Sequence, residues 1–305
     1  MPGVGSPAHE AYDLRPLVAE DRPLLPAFLE QNLDWDRLSA ELLREKLWDD
    51  PRFSPRLNWL AVRGDRPLGV ILGVGGEPGF VKLMAVAADQ RNRGIGTALL
   101  KKLEIEARAM GTTEMRLAES APLYLWPGLD VRYTRALVFF ERKGYRRVGQ
   151  TYNMSAPLSA LEPLSPTLIR GLERRGIFLE RAAESDRAAV CRWLRGLWPS
   201  WEAELLRSFA HRPACLHLAR LGREPIGFAA YHPQNPSSGG FGPMGVDPRY
   251  RGFGIGGCLL KGCLHDLKRL GFDDVVIPWV GPLDFYVHHA HAHVSRVFFR
   301  YEKKL

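Results

Sequence analysis

The chain has 305 residues, 46% of them hydrophobic and 25% charged, with a formal net charge of +8. Those figures fit a globular chain of about two domains, each with a buried core, and no apolar run reaches the length a bilayer crossing needs. The basic balance favours anionic ligands such as phosphorylated cofactors or acidic substrates, while no basic run interleaved with aromatics and no zinc-finger or RNP pattern points to nucleic acid.

The four cysteines, Cys191, Cys215, Cys258 and Cys263, form no Cys-x-x-Cys pair and no disulfide framework. Cys258 and Cys263 fall in an apolar helical pattern and read as core. Met1 to Pro7 lacks the charged and apolar regions of a signal peptide, so it reads as a short tail and predicts a cytoplasmic protein.

In chain order, residues 11 to 17 alternate like a strand, and Glu20 to Gln31 and Asp36 to Trp48 carry helical spacing. Asn58 to Arg63 and Leu68 to Gly73 predict strands around the turn Gly64-Asp65-Arg66-Pro67, and Gly79 to Val86 predicts a third. A glycine loop and a helix over Thr97 to Met110 follow, stopped by Gly111. Glu114 to Ala118 reads as a strand, then an irregular loop through Trp126 leads to a helix over Thr134 to Lys143 capped by Gly144. Tyr145 to Met154 closes the first half. The Pro-, Leu- and Ser-rich stretch 156–176 reads as a linker with one short helix, and the charged run Arg170 to Arg175 reads as a solvated face.

The second half repeats the order. Strands are predicted at Phe178 to Ala182, Leu216 to Leu221, Ile226 to Tyr231, Phe241 to Val246, Asp274 to Val280 and Ser295 to Glu302. Helices are predicted at Arg187 to Trp198, Trp201 to Ala210, Gly257 to Leu270 and from Phe285. Even the loops before the last helices echo, Trp126-Pro-Gly-Leu-Asp130 against Trp279-Val-Gly-Pro-Leu-Asp284.

The strongest repeat is Val86 to Leu100 against Val246 to Leu260. Each copy ends a strand in Val, makes a short polar turn, reads Arg-x-x-Gly-x-Gly and opens an amphipathic helix. The residues are Arg91-Asn92-Arg93-Gly94-Ile95-Gly96 and Arg251-Gly252-Phe253-Gly254-Ile255-Gly256. Glycines let a backbone approach a ligand closely, and a helix start supplies N–H groups without intrahelical acceptors at a positive dipole end. Such a loop cradles a phosphate or pyrophosphate.

With that loop at the fourth-strand-to-helix turn, this element order resembles the GCN5-related N-acetyltransferase (GNAT) family, twice over. Phe139-Phe-Glu-Arg-Lys-Gly-Tyr145 resembles the family's usual end of its last helix. The resemblance covers nearly all of 11–155, expected as an N-terminal domain without catalysis of its own, and 177–305, expected as the catalytic C-terminal domain, with 156–176 between them. It implies an α+β chain of two tandem GNAT acyl-CoA N-acyltransferase domains, as in mycothiol synthase-like members. Each would be a mixed, mostly antiparallel sheet flanked by helices.

The resemblance also implies acetyl-CoA as cosubstrate. Main-chain N–H groups of residues 91–96 or 251–256 would hold the pyrophosphate. The splayed strand ends at Met84, Ala85 and Val86, or at Met244, Gly245 and Val246, would pair with the pantetheine arm. A donor there would stabilise the oxyanion formed when an amine attacks the acetyl carbon, with no covalent nucleophile needed. The family often uses a Tyr on the last helix to protonate the leaving thiolate. Aligning the last helices puts Tyr286 there in the second half and Phe140 in the first, and Phe holds no exchangeable proton. The expected reaction is direct acetyl transfer to a primary amine of a small molecule, such as an amino-sugar conjugate, by a monomer or homodimer without nucleic-acid or membrane partners. The alternative is an acyl-CoA-binding sensor or scaffold with little turnover.

The general base is not legible; His232, Asp284, Glu119 and Asp130 are candidates, and Tyr124 and Tyr133 lie in the first half's substrate loop. Gly252-Phe-Gly254-Ile-Gly-Gly257 matches a dinucleotide fingerprint formally, but it follows a strand meander and its sister loop breaks the match at Leu99. His289 and His293 have helical metal-ligand spacing, but with no carboxylate or thiol nearby no metal site is assigned. Trp193, Trp198 and Trp201 read as core that could also wall an acceptor site.

Overall fold

The structure is a computed structural model and describes residues 11–232 and 239–305. The expected tail at Met1 to Pro7 lies outside them. The chain divides into two units, one of residues 1–150 and 298–305, the other of residues 151–297.

Unit 1 contains β1 (Asp13–Pro16), α1 (Leu25–Asn32), α2 (Ala40–Leu43), β2 (Phe53–Arg63), β3 (Arg66–Val74), β4 (Gly79–Val86), α3 (Ile95–Ala109), β5 (Glu114–Leu117), β6 (Leu129–Asp130), α4 (Thr134–Arg142) and the start of β7 (Arg146–Pro157). β1 to β4 pair antiparallel in sequence order, and β4 pairs parallel with β5. α3 shows why the sequence folds this way. Ile95, Leu99, Leu100, Leu103 and Ala107 form one buried stripe, charged side chains take the other face, and Gly111 at φ 89° ends the helix. One face of the sheet buries Phe28, Leu29, Leu43, Leu60, Val70 and Leu83 against α1 and α2. The other buries Ala61, Ile71, Val81, Leu99 and Phe140 against α3 and α4.

Unit 2 contains the rest of β7, α5 (Pro166–Glu173), β8 (Ile177–Arg181), α6 (Arg187–Leu197), α7 (Glu202–Ser208), β9 (Leu216–Leu221), β10 (Glu224–His232), β11 (Gly239–Val246), α8 (Ile255–Arg269), β12 (Asp274–Val280), α9 (Leu283–Ala290) and the start of β13 (His293–Lys304). β8 to β11 pair antiparallel, and β11 pairs parallel with β12. α8 repeats the α3 pattern and ends at Gly271, φ 91°.

The last strand of each half departs from the expected layout. Asp274 to Ile277 of β12 pair with Pro157 to Met154 of β7, so unit 2 closes its sheet with a strand from the first half of the sequence. Glu302 to Lys304 of β13 pair with Arg116 to Glu114 of β5, so unit 1 closes with the chain's C-terminal end. The division therefore falls at 150/151 and 297/298, not at the expected 155 and 177. The expected linker is also part of unit 2: Ala156, Leu158 and Leu172 are buried in its core. Its composition reads as a connection because its turns need Pro and Ser, but its Leu side chains are spent on packing.

A second difference is local. The helix expected over Asp36 to Trp48 is a single α-turn, α2, that runs on as a π-turn over Arg44–Trp48. Among the described residues no helix is long and apolar enough to cross a membrane.

Candidate active site

Both loops fold alike. After β4 a tight turn over Ala88–Gln90 leads to Arg91, then Asn92 at φ 63° and Gly94 at φ 85° as the N-cap of α3. After β11 the same turn over Pro248–Tyr250 leads to Arg251, Gly252 at φ 84° and Gly254 at φ 83° as the N-cap of α8. The left-handed residues turn successive N–H groups outward, and the first intrahelical bonds start only at Ala98 N–H to Gly94 O and Cys258 N–H to Gly254 O. Neither helix has an acidic residue in its first turn. Arg91 and Arg251 brace their loops: each Nε donates to the carbonyl that ends the strand, Val86 or Val246, at 3.2 Å. What both loops offer an anion is main-chain N–H.

The second glycine has a packing role. A Cβ on Gly96 would touch Met84 and Phe139 at 3.6 Å; one on Gly256 would touch Phe285 at 3.4 Å and Met244 at 3.5 Å. The last helix of each unit thus seats on its loop helix through the same glycine, methionine and phenylalanine. In unit 2 the seat is closer still, since a Cβ on Gly257 would lie 2.8 Å from the His289 ring.

Each unit also splays its fourth and fifth strands. Among the described residues, β4 pairs with β5 from Gly79 to Val81 and β11 pairs with β12 at Gly239 and Gly240, and neither ladder runs on toward the loop. Ala87 N–H bonds Leu68 O, and Asp247 N–H bonds Ile226 O, each on the neighbouring antiparallel strand. Peptide groups alternate along a strand. Val86 and Met84, and Val246 and Met244, therefore turn theirs to the splayed side, while Ala85 and Gly245 face the antiparallel neighbour. Of the six expected strand positions, four border the splay.

Both fourth strands carry a bulge just past the end of that ladder, where the register shifts at Lys82, one residue past it, in β4 and at Gly242 and Pro243, two and three residues past it, in β11. Proline and glycine suit a bulge because neither is asked for a ladder bond there. Around it the units differ. Gly242 to Val246 are all half-exposed, whereas Lys82, Leu83 and Ala85 are buried.

Tyr286 stands near this point in unit 2, its ring 6.1 Å from Phe241, the residue just before the bulge. It is 7% exposed, and burial pushes its phenol up to about 12. It is therefore protonated at neutral pH and a donor. In unit 1 the matching position is Phe140, 4% exposed and edge-on to Phe139 and Tyr145.

The base candidates sort clearly. Glu119 is buried and bound to Arg300 and Arg116, and Asp130 is buried and forked onto Arg132 at 2.8 and 3.1 Å, so both carboxylates are occupied. Asp284 is exposed in the first turn of α9, and His232 is half-exposed at the end of β10. Tyr133 donates to Asp36 at 2.8 Å, which also accepts from Trp126 at 2.9 Å. That ties the α1–α2 loop of unit 1 to the loop on either side of β6. Trp279 does not mirror Trp126: it lies inside β12 at φ 49°, while Trp126 sits in the loop before β6.

Trp198 stacks with Trp201 at 5.5 Å and meets Trp193 and Phe228 edge-on. Its ring would lie 2.9 Å from a Cβ on Gly245, so this glycine exists to admit the indole against β11. His288 and His289 meet edge-on at 4.7 Å, and among the described residues no three His, Cys, Asp or Glu group as a metal site. The run at Arg170 to Arg175 is less idle than its charge suggests: Arg175 lies over Phe253, and Leu168 of α5 touches Gly254.

The sequence reading missed Lys82. It is 2% exposed, donates to Asp50 at 2.7 Å and also bonds Lys46 O. A lysine inside the apolar run Gly79 to Val86 was the available signal, since buried lysines are rare without a partner.

The model of the acetyltransferase (GNAT) family matches residues 27–124 and 187–293. A mycothiol acetyltransferase of Geodermatophilus obscurus is 30% identical over 213 residues, 64% of this chain and 63% of that relative. Among solved structures, the glucosamine N-acetyltransferase region of a fungal multi-domain β-N-acetylglucosaminidase superposes with TM-score 0.82 at 18% identity, over 96% of this chain and 38% of that one. A tandem GNAT protein from the clavulanic acid pathway gives TM-score 0.68 at 17% identity, over 96% and 98%. At these identities the structures speak to fold, and the doubled family match speaks to descent: the chain belongs to the GNAT acetyltransferase family, as a tandem of two such domains.

Proposed function

We propose that the chain transfers the acetyl group of acetyl-CoA to a primary amine of a small molecule, and that unit 2 performs the transfer. Main-chain N–H groups of residues 252–256 would take the pyrophosphate. The Met244 and Val246 peptide groups would pair with the pantetheine arm along the splayed edge of β11. Between loop and thioester that arm has about the reach of four to five extended residues, so the acyl end arrives at the bulge. There a main-chain donor would stabilise the oxyanion. The Tyr286 phenol would give its proton to the departing sulfur.

The observation that carries this reading is the Tyr286 ring 6.1 Å from Phe241, the residue that follows the end of the β11–β12 ladder. The mycothiol acetyltransferase relative and the amino-sugar chemistry named for the fungal neighbour support an amino-sugar conjugate as acceptor. Asp284 and His232 remain as groups able to take the amine proton. The test is release of free CoA thiol from acetyl-CoA across a panel of amines, with amino-sugar conjugates expected to be fastest. No release above the water rate with any amine, while calorimetry shows acetyl-CoA bound, would instead favour a binding module.

A further inference from the structure

Lys82 is the first residue of β4 past the end of the β4–β5 ladder, at the bulge. Counting back from the loop along Met84 and Val86, it stands where the acyl end of a cosubstrate held by unit 1 would arrive. Its surroundings are built around its amine. Asp50 accepts from Nζ at 2.7 Å and from Arg52 Nη2 at 3.1 Å. Arg52 reaches on to Ser120 O at 2.9 Å, in the loop after β5. This arrangement spans from β4 to the chain beyond β5 on the α1–α2 side, and the Lys82 and Asp50 side chains are each 1% exposed. An external amine would find the place taken; an internal amine is already in it. Unit 2 has Gly242, which carries no side chain, at the matching bulge.

We propose that Lys82 is an internal acceptor, taking the acetyl group from acetyl-CoA bound at the Arg91–Gly96 loop onto its own Nζ. The inference rests on the cosubstrate reading above. One ammonium proton passes to Asp50, and the freed amine forms a bond to the thioester carbon. The carbon–sulfur bond then breaks, and the second nitrogen proton ends on the sulfur. The products are N-acetyl-lysine, CoA thiol and one proton that Asp50 returns to water. With Phe140 in place of a phenol, no side-chain acid assists the sulfur, so the event is slow and happens once per chain. Acetylation removes the ammonium and leaves Asp50 to Arg52 alone. The charged groups facing Nζ are Asp50, Arg52 and Lys46; burial and the two cations pull the amine down against Asp50, to about 8.

The test incubates the full chain with acetyl-CoA, digests it and maps acetyl-lysine by mass spectrometry, with exposed Lys101 and Lys268 as the baseline for chemical acetylation. Lys82 should acetylate well ahead of both, and excess CoA should suppress Lys82 alone. Its rate should rise about fivefold from pH 7 to pH 8 as the neutral amine fills in. Lys82→Arg should show the other sites unchanged and none at position 82. Modification of Lys82 no faster than Lys101, or indifferent to CoA, overturns the inference. The same sample is assayed for CoA release with added amines. Release without Lys82 modification sinks this inference alone; neither release nor modification sinks the functional reading with it.

Discussion

Unit 1 and unit 2 share a loop, a helix seat and a splayed strand pair, and differ in what stands at the head of the splay. Unit 2 presents Gly242, Pro243 and the Tyr286 phenol along a half-exposed strand. Unit 1 presents a buried Lys82–Asp50 pair backed by a half-buried Arg52, and Phe140. The lesson, on the proposed reading, is that a place for the cofactor and a place for the chemistry are separable in this fold. The loop is main-chain geometry that glycines preserve; the proposed chemistry would rest on a few side chains that one substitution each can add or remove.

The comparison can be broken most severely at the C-terminus. Ending the chain at Val297 removes Phe298 and Tyr301, both fully buried in unit 1, and the Lys303–Glu104 bridge at 2.8 Å. Losing one large buried aromatic costs about 3–5 kcal/mol, so losing two consumes most of a domain's margin. Calorimetry should then show unit 1 unfolded and a transition for unit 2 retained.

Asp50→Ala should come next. It strands the buried Lys82 ammonium, a change of about 3–5 kcal/mol. Lys82→Met should cost less, because Asp50 keeps Arg52. Denaturant midpoints for the pair give the order; equal costs would mean the lysine charge is not held by Asp50.

A third test is confined to unit 2. Burial raises the Asp266 carboxyl, but His217, Arg181 and Arg269 outweigh it and hold the group below the usual carboxylate range. The folded state then binds fewer protons than the unfolded one. The contribution of the Asp266 carboxylate is fully present above about pH 4 and is lost as pH falls through the folded value. Asp266→Asn should therefore be less stable than the parent at neutral pH, with the gap closing in acid. A gap constant with pH would assign the loss to packing.

The smallest contrast is between the loop glycines. Gly94→Ala meets open space and costs only the strain of φ 85°, about 1 kcal/mol. Gly254→Ala adds a contact at 3.0 Å with Leu168, so it should weaken thermal stability somewhat more.

Much of this was legible in the chain. Period and punctuation set β4, β9 and β12 at the bounds later observed, because Gly and Pro flank short apolar runs there. The repeated Arg-x-x-Gly-x-Gly located both strand-to-helix turns, since φ near 85° at a helix N-cap leaves glycine as the natural residue. Strand partners were not legible: β7 and β13 alternate identically whichever sheet they join, and period two names a face, not a neighbour. Nor was the fate of Glu119, whose cation Arg300 lies 181 residues away. Lys82 was visible as one charge in an apolar strand, but its meaning depends on Asp50, which only the turn before β2 brings to it.

The most direct measurement is CoA release with a good amine acceptor and saturating acetyl-CoA, for Tyr286→Phe and for Phe140→Tyr. Tyr286→Phe should lower kcat by about 10²-fold or more, with acetyl-CoA affinity kept, and Phe140→Tyr should leave kcat unchanged. Unchanged turnover in Tyr286→Phe, or a gain in Phe140→Tyr, would place the chemistry elsewhere than in unit 2.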